Sequence, residues 1–408
     1  MDGRVFSNRF GCSAGALIVV LSSAAVHAQA PPPPSPNGSD KPGLFSGVGS
    51  KLGKAFAAPI HPVIQGVASG GGIGGGVGYD SPSTGPWQVS AKAVATIRRY
   101  WLLEFDSEYT GDRVEGGAYA RTRHMSRLNF FGAGPESARG DWTSYTLRDP
   151  LVGAYGAVKV VPAVAIGGRV EEIWPQVQGG RHPVRPSIET LFNEFDAPGL
   201  SEQPRFGRYQ AFAQVTAPAA DGWGLNQGGA YRISYDIFDD QQLDRFDFHR
   251  IQLEGRHRVA GFRPYHTLSF RGWVSSAEPR AGSQVPFYLQ HTIGGTSNIR
   301  SLHEAPLGGD GTAATLRGFA NHRFRDNHLV LLQSEYRWNV WGPVDATVFV
   351  EAGKVVSRRS DLDLSGLASD YGFSLNLMRA TGPVARIDFG LGGGEGSRVF
   401  VSFGGLLP

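Results

Sequence analysis

Residues able to do chemistry crowd into 315-TLRGFANHRFRD-326, which holds three arginines, a histidine and an aspartate. The stretch is polar and broken by glycine, and it stands directly before 328-HLVLLQSEYRWNVW-341, which alternates apolar and polar residues. His322, Asp326 and His328 carry the donor atoms a metal could use, but a polar loop supplies such residues anyway. The bland reading of the arginines is a solvated basic loop tip. No enzymatic constellation accompanies them. Gly-x-Ser-x-Gly is missing, and His303-Glu304 lacks the second histidine of a metalloprotease motif. The run 70-GGGIGGGVG-78 spells Gly-x-Gly-x-x-Gly without the strand–turn–helix context of a dinucleotide site. The expectation is a protein that is not an enzyme, with no metal, cofactor or nucleotide.

Strands must position these residues. In 328–341, Gln333, Glu335, Arg337 and Asn339 share one face, and Leu332, Tyr336, Trp338 and Val340 the other. In 249-HRIQLEGRHR-258, Arg250, Gln252, Glu254, Arg256 and Arg258 oppose Ile251 and Leu253. In 384-VARIDFGL-391, Arg386 and Asp388 oppose Ile387 and Phe389. One face is too charged for a dry core, so it suits a hydrated lumen, with the apolar face against lipid. A closed barrel is the sheet that leaves no unpaired edge in hydrocarbon. Trp101, Trp338 and Trp341 near strand ends fit interfacial girdles.

The expected fold is all-β: a transmembrane antiparallel β-barrel of about 16 strands, an even number as bacterial barrels have. The first alternating run is 66–80 and the last 397–406, with 143–160 and 285–297 each read as one strand. The segment 176–204 could hide a hairpin, and the long loop lies between strands 11 and 12. Glycine in the first strand (Gly70, Gly71, Gly72, Gly74, Gly75 and Gly76) implies weak packing and poor pairing. With Phe403 on the last strand, it marks a possible lateral seam.

The termini and composition agree. Arg4 and Arg9, the apolar 15-GALIVVLSSAAV-26 and the small residues before position 29 read as a signal peptide over 1–28. Cys12, the single cysteine, lies inside it, so the mature chain is expected to lack disulfides. Residues 29–65 read as a proline-rich linker with a possible short amphipathic helix from Leu44, and 66–408 as the barrel. Glycine, 57 of 408 residues, is about twice its usual share, and charged residues at 18% are fewer than the roughly 25% of globular domains. A net charge of +3 with scattered charges gives no basic tract for nucleic acid.

With strands assigned, the sequence resembles the BamA/TamA family of outer-membrane assembly proteins, the bacterial surface antigen family. The residues that carry the resemblance are 286-PFYLQHTIGGTSN-298, 316-LRGF-319, 333-QSEYRW-338, 348-VFVEAG-353 and 382-GPVARIDFG-390, with 129-NFFGAG-134 upstream. It covers residues 60–406 and implies a loop folded back into the lumen. It also implies that Arg317 pairs with Glu335 and Glu351 on the wall, Gly318 allows a tight turn and Phe319 packs the tip. Arg300, in the near-duplicate 294-GGTSNIRSL-302, is the rival loop arginine. Glutamate at 351 stands where the family usually has aspartate, and the chain ends FGGLLP rather than in an aromatic residue.

The resemblance implies a Gram-negative outer membrane, contact with its lipid, and assistance to the insertion or translocation of other proteins. Unfolded outer-membrane or secreted proteins would be the clients. The family's periplasmic docking (POTRA) domains do not fit between residue 29 and the first strand. The alternative is therefore a passive pore or structural surface barrel. A third reading has a periplasmic partner docking on 29–65.

Overall fold

The computed structural model describes residues 58–403 apart from 69, 83–84, 218–227, 261–265, 296–314, 380–381 and 394. The residues read as a signal peptide, 29–57 of those read as linker, and Arg300 lie outside the described residues. Strands along the first part are β1 (Ile60–Gln65), β2 (Gly74–Asp80), β3 (Trp87–Thr96), β4 (Trp101–Thr110) and β5 (Val114–Phe130). Next come β6 (Thr143–Arg148), β7 (Leu151–Val161), β8 (Val164–Ile173), β9 (Gln176–Gly179), β10 (Phe206–Ala217) and β11 (Gly228–Asp240). Then follow β12 (Phe248–Ala260), β13 (His266–Pro279), β14 (His291–Ile293), β15 (Phe324–Asp326) and β16 (His328–Trp341). The last are β17 (Val344–Val356), β18 (Ala368–Arg379), β19 (Gly382–Gly392) and β20 (Gly396–Phe403). No α-helix occurs among the described residues.

One antiparallel sheet of 18 strands forms the wall, and β14 and β15 form a separate two-stranded ribbon. Within the large sheet, β6 and β9 pair off to the side of the upper part of β5, leaving sixteen strands in the wall succession. Side chains alternate as the sequence implies. On β17, Val348 and Val350 face outward, and Val350 is 60% exposed, while Phe349 and Glu351 are buried inside. On β12, Ile251 and Leu253 are exposed, and Glu254 and Arg256 are buried. A wall that exposes its apolar face and hides its charges inverts a soluble sheet, as a lipid solvent requires.

Four local readings of the sequence are corrected. The run 66–80 is a hairpin rather than one strand: Gly70 (φ 83°) and Gly72 (φ 75°) make the turn between β1 and β2. The wall thus begins at Ile60, inside the stretch read as linker. The glycines of β2 are paired on both sides: Gly74–Tyr79 is in register with β1 and Gly74–Asp80 with β3. A Cβ on Gly76 would lie 1.9 Å from the Ala93 carbonyl oxygen, so close backbone approach is the reason for glycine there.

The run 143–160 is two strands. Pro150 interrupts β6 and β7 where Pro175 interrupts β8 and β9, since proline cannot donate to a ladder. The Trp174 N–H still donates to the Pro150 carbonyl, and Arg121 and Arg123 meet Asp149 at this bend. Beyond the bend, upper β5, β6 and β9 form a flap. Finally, 285–297 is no wall strand: Pro286 leads into a 3-10 turn, Phe287–Leu289, and then β14, which pairs with β15 alone. The hairpin gained at the start offsets the strand lost here, so the long loop, 280–327, still falls between the eleventh and twelfth wall strands.

At the mouth, an apolar cluster includes Phe130, Tyr145, Leu147, Phe206, Phe248, Phe287 and Tyr288. Among the described residues no pairing joins β20 to β1; β1 pairs with β2, and β20 with β19.

Candidate functional site

The long loop is gathered at its root. Gly294 and Gly295 exchange backbone hydrogen bonds with Thr315 and Leu316, and Leu316 adopts a left-handed backbone (φ 44°). That turn aims Arg317 at the wall of β16–β19, where three transverse rows await it. The registers are Gln333–Glu351–Asp370–Gly392, then Glu335–Phe349–Gly372–Gly390, then Arg337–Thr347–Ser374–Asp388. Rows two residues apart share a face, so all of these point into the lumen.

Arg317 is fully buried, at 0% exposure. Its backbone N–H donates to Glu351 Oε2 at 2.6 Å, and its Nε donates to Glu351 Oε1 at 2.9 Å. Nη1 donates to Asp388 Oδ1 at 3.1 Å. Nη2 lies 2.7 Å from Glu335 and 2.8 Å from Glu351, off the in-line direction, so these are charge contacts rather than directed hydrogen bonds. The guanidinium carbon sits 3.5 Å from the Phe349 ring centroid. Burial alone would favour losing the proton. Glu351, Glu335 and Asp388 outweigh it, so Arg317 is more firmly protonated than a free arginine.

The wall is itself braced. Arg386 donates to Asp388 at 2.8 Å and to Glu335 and Ser374 at 3.1 Å each, and Gln333 donates to Glu351. Glu335 and Glu351 therefore converge on Arg317, and the sequence reading missed the third carboxylate, Asp388, with its brace Arg386. Both stood on the polar face of the alternation, which was the available signal. Asp370 was also missed; it accepts the Gly318 N–H at 2.6 Å.

Gly318 has a reason different from the tight turn expected of it. Its φ is not positive, but a Cβ there would lie 2.3 Å from the Gly392 nitrogen. A Cβ on Gly390 would lie 2.4 Å from the Arg317 carbonyl, and one on Gly392 2.4 Å from the Gly318 oxygen. Loop backbone lies flat on strand backbone, and the glycines of 390-GLG-392 clear the seat. Phe319 packs with Leu316, Phe324, Ile293, Trp273, Leu329, Leu331 and Val355.

The same loop reaches the other side. Arg323 Nε pairs with Glu395 at 2.6 Å, between β19 and β20, while its Nη1 donates to Ser137 at 2.9 Å, just past β5. Asn129 of β5 donates to the Asn321 carbonyl at 3.0 Å. Arg325 Nη2 donates to Tyr145 of the flap at 3.0 Å, and Nη1 to the Phe287 carbonyl. His322 is buried with neither ring nitrogen hydrogen-bonded, and His328 Nδ1 lies 2.9 Å from Ser276. No group of three or more His, Cys, Asp or Glu is arranged to hold a metal ion among the described residues. Of the seam residues, Gly70–Gly72 lie in the β1–β2 turn, Gly74–Gly76 in β2, and Phe403 ends β20 opposite Ala385.

No protein-family model and no curated protein matches the sequence. Solved structures do. BamA from Haemophilus ducreyi lacking POTRA domains 1–3 is similar at 12% identity and a TM-score of 0.54, over 84% of this chain and 69% of that one. CdiB from Escherichia coli matches at 10% identity and a TM-score of 0.56, over 85% of this chain and 63% of its own. CdiB from Acinetobacter baumannii matches at 11% and 0.50, over 84% of this chain and 56% of its own. The chain thus spans less than two thirds of either CdiB. At these identities the likeness is one of fold, and the fold is that of outer-membrane β-barrels of the BamA and CdiB type.

Proposed function

We propose that this barrel assists the insertion or translocation of other proteins at the outer membrane, without an enzymatic step, cofactor or nucleotide. The carrying observation is where Arg317 is clamped. Its three carboxylates belong to β16, β17 and β19, the strands that run up to β20, which pairs on one side alone among the described residues. A clamp there holds the loop and the strands beside the open edge as one body, which suits a wall that must part locally without collapsing. A passive pore gains little from a loop laid backbone-to-backbone on its wall. Clients would be unfolded outer-membrane or secreted proteins, and a periplasmic partner docking ahead of the wall, on 29–59, would deliver them.

The test is a proteoliposome assay timing the folding of an added unfolded outer-membrane protein, with wild type and Arg317→Ala. Acceleration by wild type alone supports the reading. If wild type leaves the rate at that of empty liposomes, the pore or surface-barrel alternative takes its place.

A further inference from the structure

The rim at the long-loop end carries arginines of two kinds. On the β8–β13 side they are paired: Arg205 with Glu172 at 3.0 Å, Arg245 with Glu202 at 3.0 Å, and Arg280 with Asp247 at 3.4 Å. On the β3–β6 side they are not. Among the described residues, none of Arg98, Arg99, Arg127, Arg148, Arg181 and Arg185 lies within ion-pair distance of a carboxylate. The contrast holds within one strand, because Arg121 and Arg123 of β5 point inward to Asp149.

One of the six, Arg148, lies against an interfacial tryptophan, and Arg98, Arg127 and Arg185 gather about His182. Trp101, His124, Arg148 and Gln176 form one transverse row across β4, β5, β6 and β9. The Trp101 ring stacks on His124 at 5.8 Å, and Arg148 lies 5.6 Å from its centroid. Below the row, Leu103 and Val152 are exposed on the outward, apolar face. Above it, the β3–β4 turn presents Arg98 and Arg99, with Arg98 donating to the Gly70 carbonyl at 2.9 Å. Arg99 holds a left-handed backbone (φ 65°), uncommon for a residue that is not glycine.

The Nε atoms of Arg127 and Arg185 are buried without an acceptor, although Arg185 lies 3.6 Å over the Trp142 ring. His182 reports the same concentration of charge. Burial first, and then Arg127, Arg185 and Arg98, lower its pKa.

Tryptophan at the end of a lipid-facing strand marks the headgroup level. Longer connections mark the extracellular side of such barrels. An arginine field directly over an apolar band at that level suits anions that are anchored in the membrane, and forked guanidinium groups suit phosphate. A soluble anion would need no apolar band beneath it.

We propose that Arg98, Arg99, Arg127, Arg148, Arg181 and Arg185 form a docking surface for the phosphorylated headgroups of an outer-leaflet glycolipid. The proposal rests on placement in an outer membrane, not on insertase activity, so either can fail alone.

The test uses the purified full chain in zwitterionic detergent. The probe is fluorescent lipid A, a diphosphorylated acyl-glucosamine disaccharide, compared with the same lipid after removal of its phosphates. Wild type should prefer the phosphorylated form. Each exposed arginine near an anionic lipid surface contributes about fivefold, so Arg98→Ala/Arg148→Ala/Arg181→Ala should weaken binding about a hundredfold at low salt. The corresponding triple lysine variant should stay within about fivefold of wild type, having kept the charge. Alanine at Arg205, Arg245 and Arg280 should change nothing. Equal binding of both lipids by wild type would overturn the proposal even if the alanine variant failed to fold. An equal loss in the control variant, or displacement of the lipid by inorganic diphosphate at similar concentration, would overturn it too.

Discussion

Arg317 and Arg325 leave the same loop eight residues apart and are both almost wholly buried, at 0% and 1% exposure. Their surroundings are opposite. Arg317 meets Glu335, Glu351 and Asp388 on three wall strands. Arg325 meets no carboxylate within ion-pair distance among the described residues. It has the Phe287 carbonyl, the Tyr145 hydroxyl, and the rings of Phe130, Tyr145 and Phe287 with centroids 5.6–5.7 Å away. Burial of a guanidinium therefore does not by itself identify a clamp. The first arginine answers an excess of negative charge that the wall holds without it; the second is solvated by dipoles and ring faces that would be content with a neutral side chain.

The sharpest way to break that distinction is Arg317→Ala. Removing one partner of a buried, hydrogen-bonded charge cluster costs about 3–5 kcal/mol, because Glu335, Glu351 and Asp388 are left crowded with Arg386 among them and Arg256 3.9 Å from Glu335. Guanidinium unfolding followed by tryptophan fluorescence should show that loss. A cost near that of an exposed arginine would mean water replaces the guanidinium easily and the lock is wet.

Gly318→Ala should come next. The added methyl would meet the backbone of Gly392 and Leu391, which cannot rotate away, so overpacking of about 1–3 kcal/mol is expected. The loop should lift while Arg317 keeps its charge partners nearby. Protection of the Gly318 amide, donated to Asp370, is the readout in hydrogen exchange. Unchanged protection would show that the seat is looser than the backbone distances indicate.

The lock was half legible in the sequence, and the physical reason is period two. Alternation alone placed Glu335, Arg386 and Asp388 on the polar face, because a lipid-facing wall shows its pattern without ambiguity. It could not say that strands 16 and 19 set Glu335 and Asp388 around one cation, which depends on register across four strands. The glycines misled for a related reason. A glycine run reads as weak pairing, but in β2 and in 390-GLG-392 glycine permits a backbone to come closer than any side chain allows. Proline breaks at Pro150 and Pro175 were also there to be read, yet two aligned breaks signify a folded flap only once their strands are known to be neighbours. The segment 285–297 reads as an alternating run, but Val285, Phe287 and Tyr288 pack in the capped mouth, where the rule of charge inside no longer holds.

Arg325→Met tests the other half of the comparison. A neutral side chain of similar length keeps the contacts with Phe130 and Phe287 and removes an uncompensated charge, so stability should change by less than about 1 kcal/mol, or rise. A loss as large as that of Arg317→Ala would show that the Tyr145 and Phe287 oxygens hold the flap through a cation after all, and the two arginines would be equivalent clamps.

The smallest effect at neutral pH, and the most specific, belongs to His322. Burial, and then the charge of Arg325, hold its pKa down to about 3 from 6.5, so the folded loop favours the neutral ring. The stabilisation is intact above pH 6.5 and is lost as pH falls through the window toward 3. Asp326 acts with the opposite sign. Burial raises its pKa from 3.8 to about 6, so its carboxylate is penalised above that pH and relieved as acid protonates it. The histidine shift is the larger, so the flap side of the loop should loosen between pH 7 and 4.5. His322→Asn suits the left-handed backbone there (φ 57°) and carries no titrating group. Hydrogen exchange over 319–326, corrected for intrinsic rate, should therefore fall in protection with acid in wild type and not in the variant, while the Arg317 amide stays protected in both. If acid releases Arg317 at the same pH as 319–326, the loop opens as one piece, and the two arginines, however different their surroundings, do not act as separate anchors.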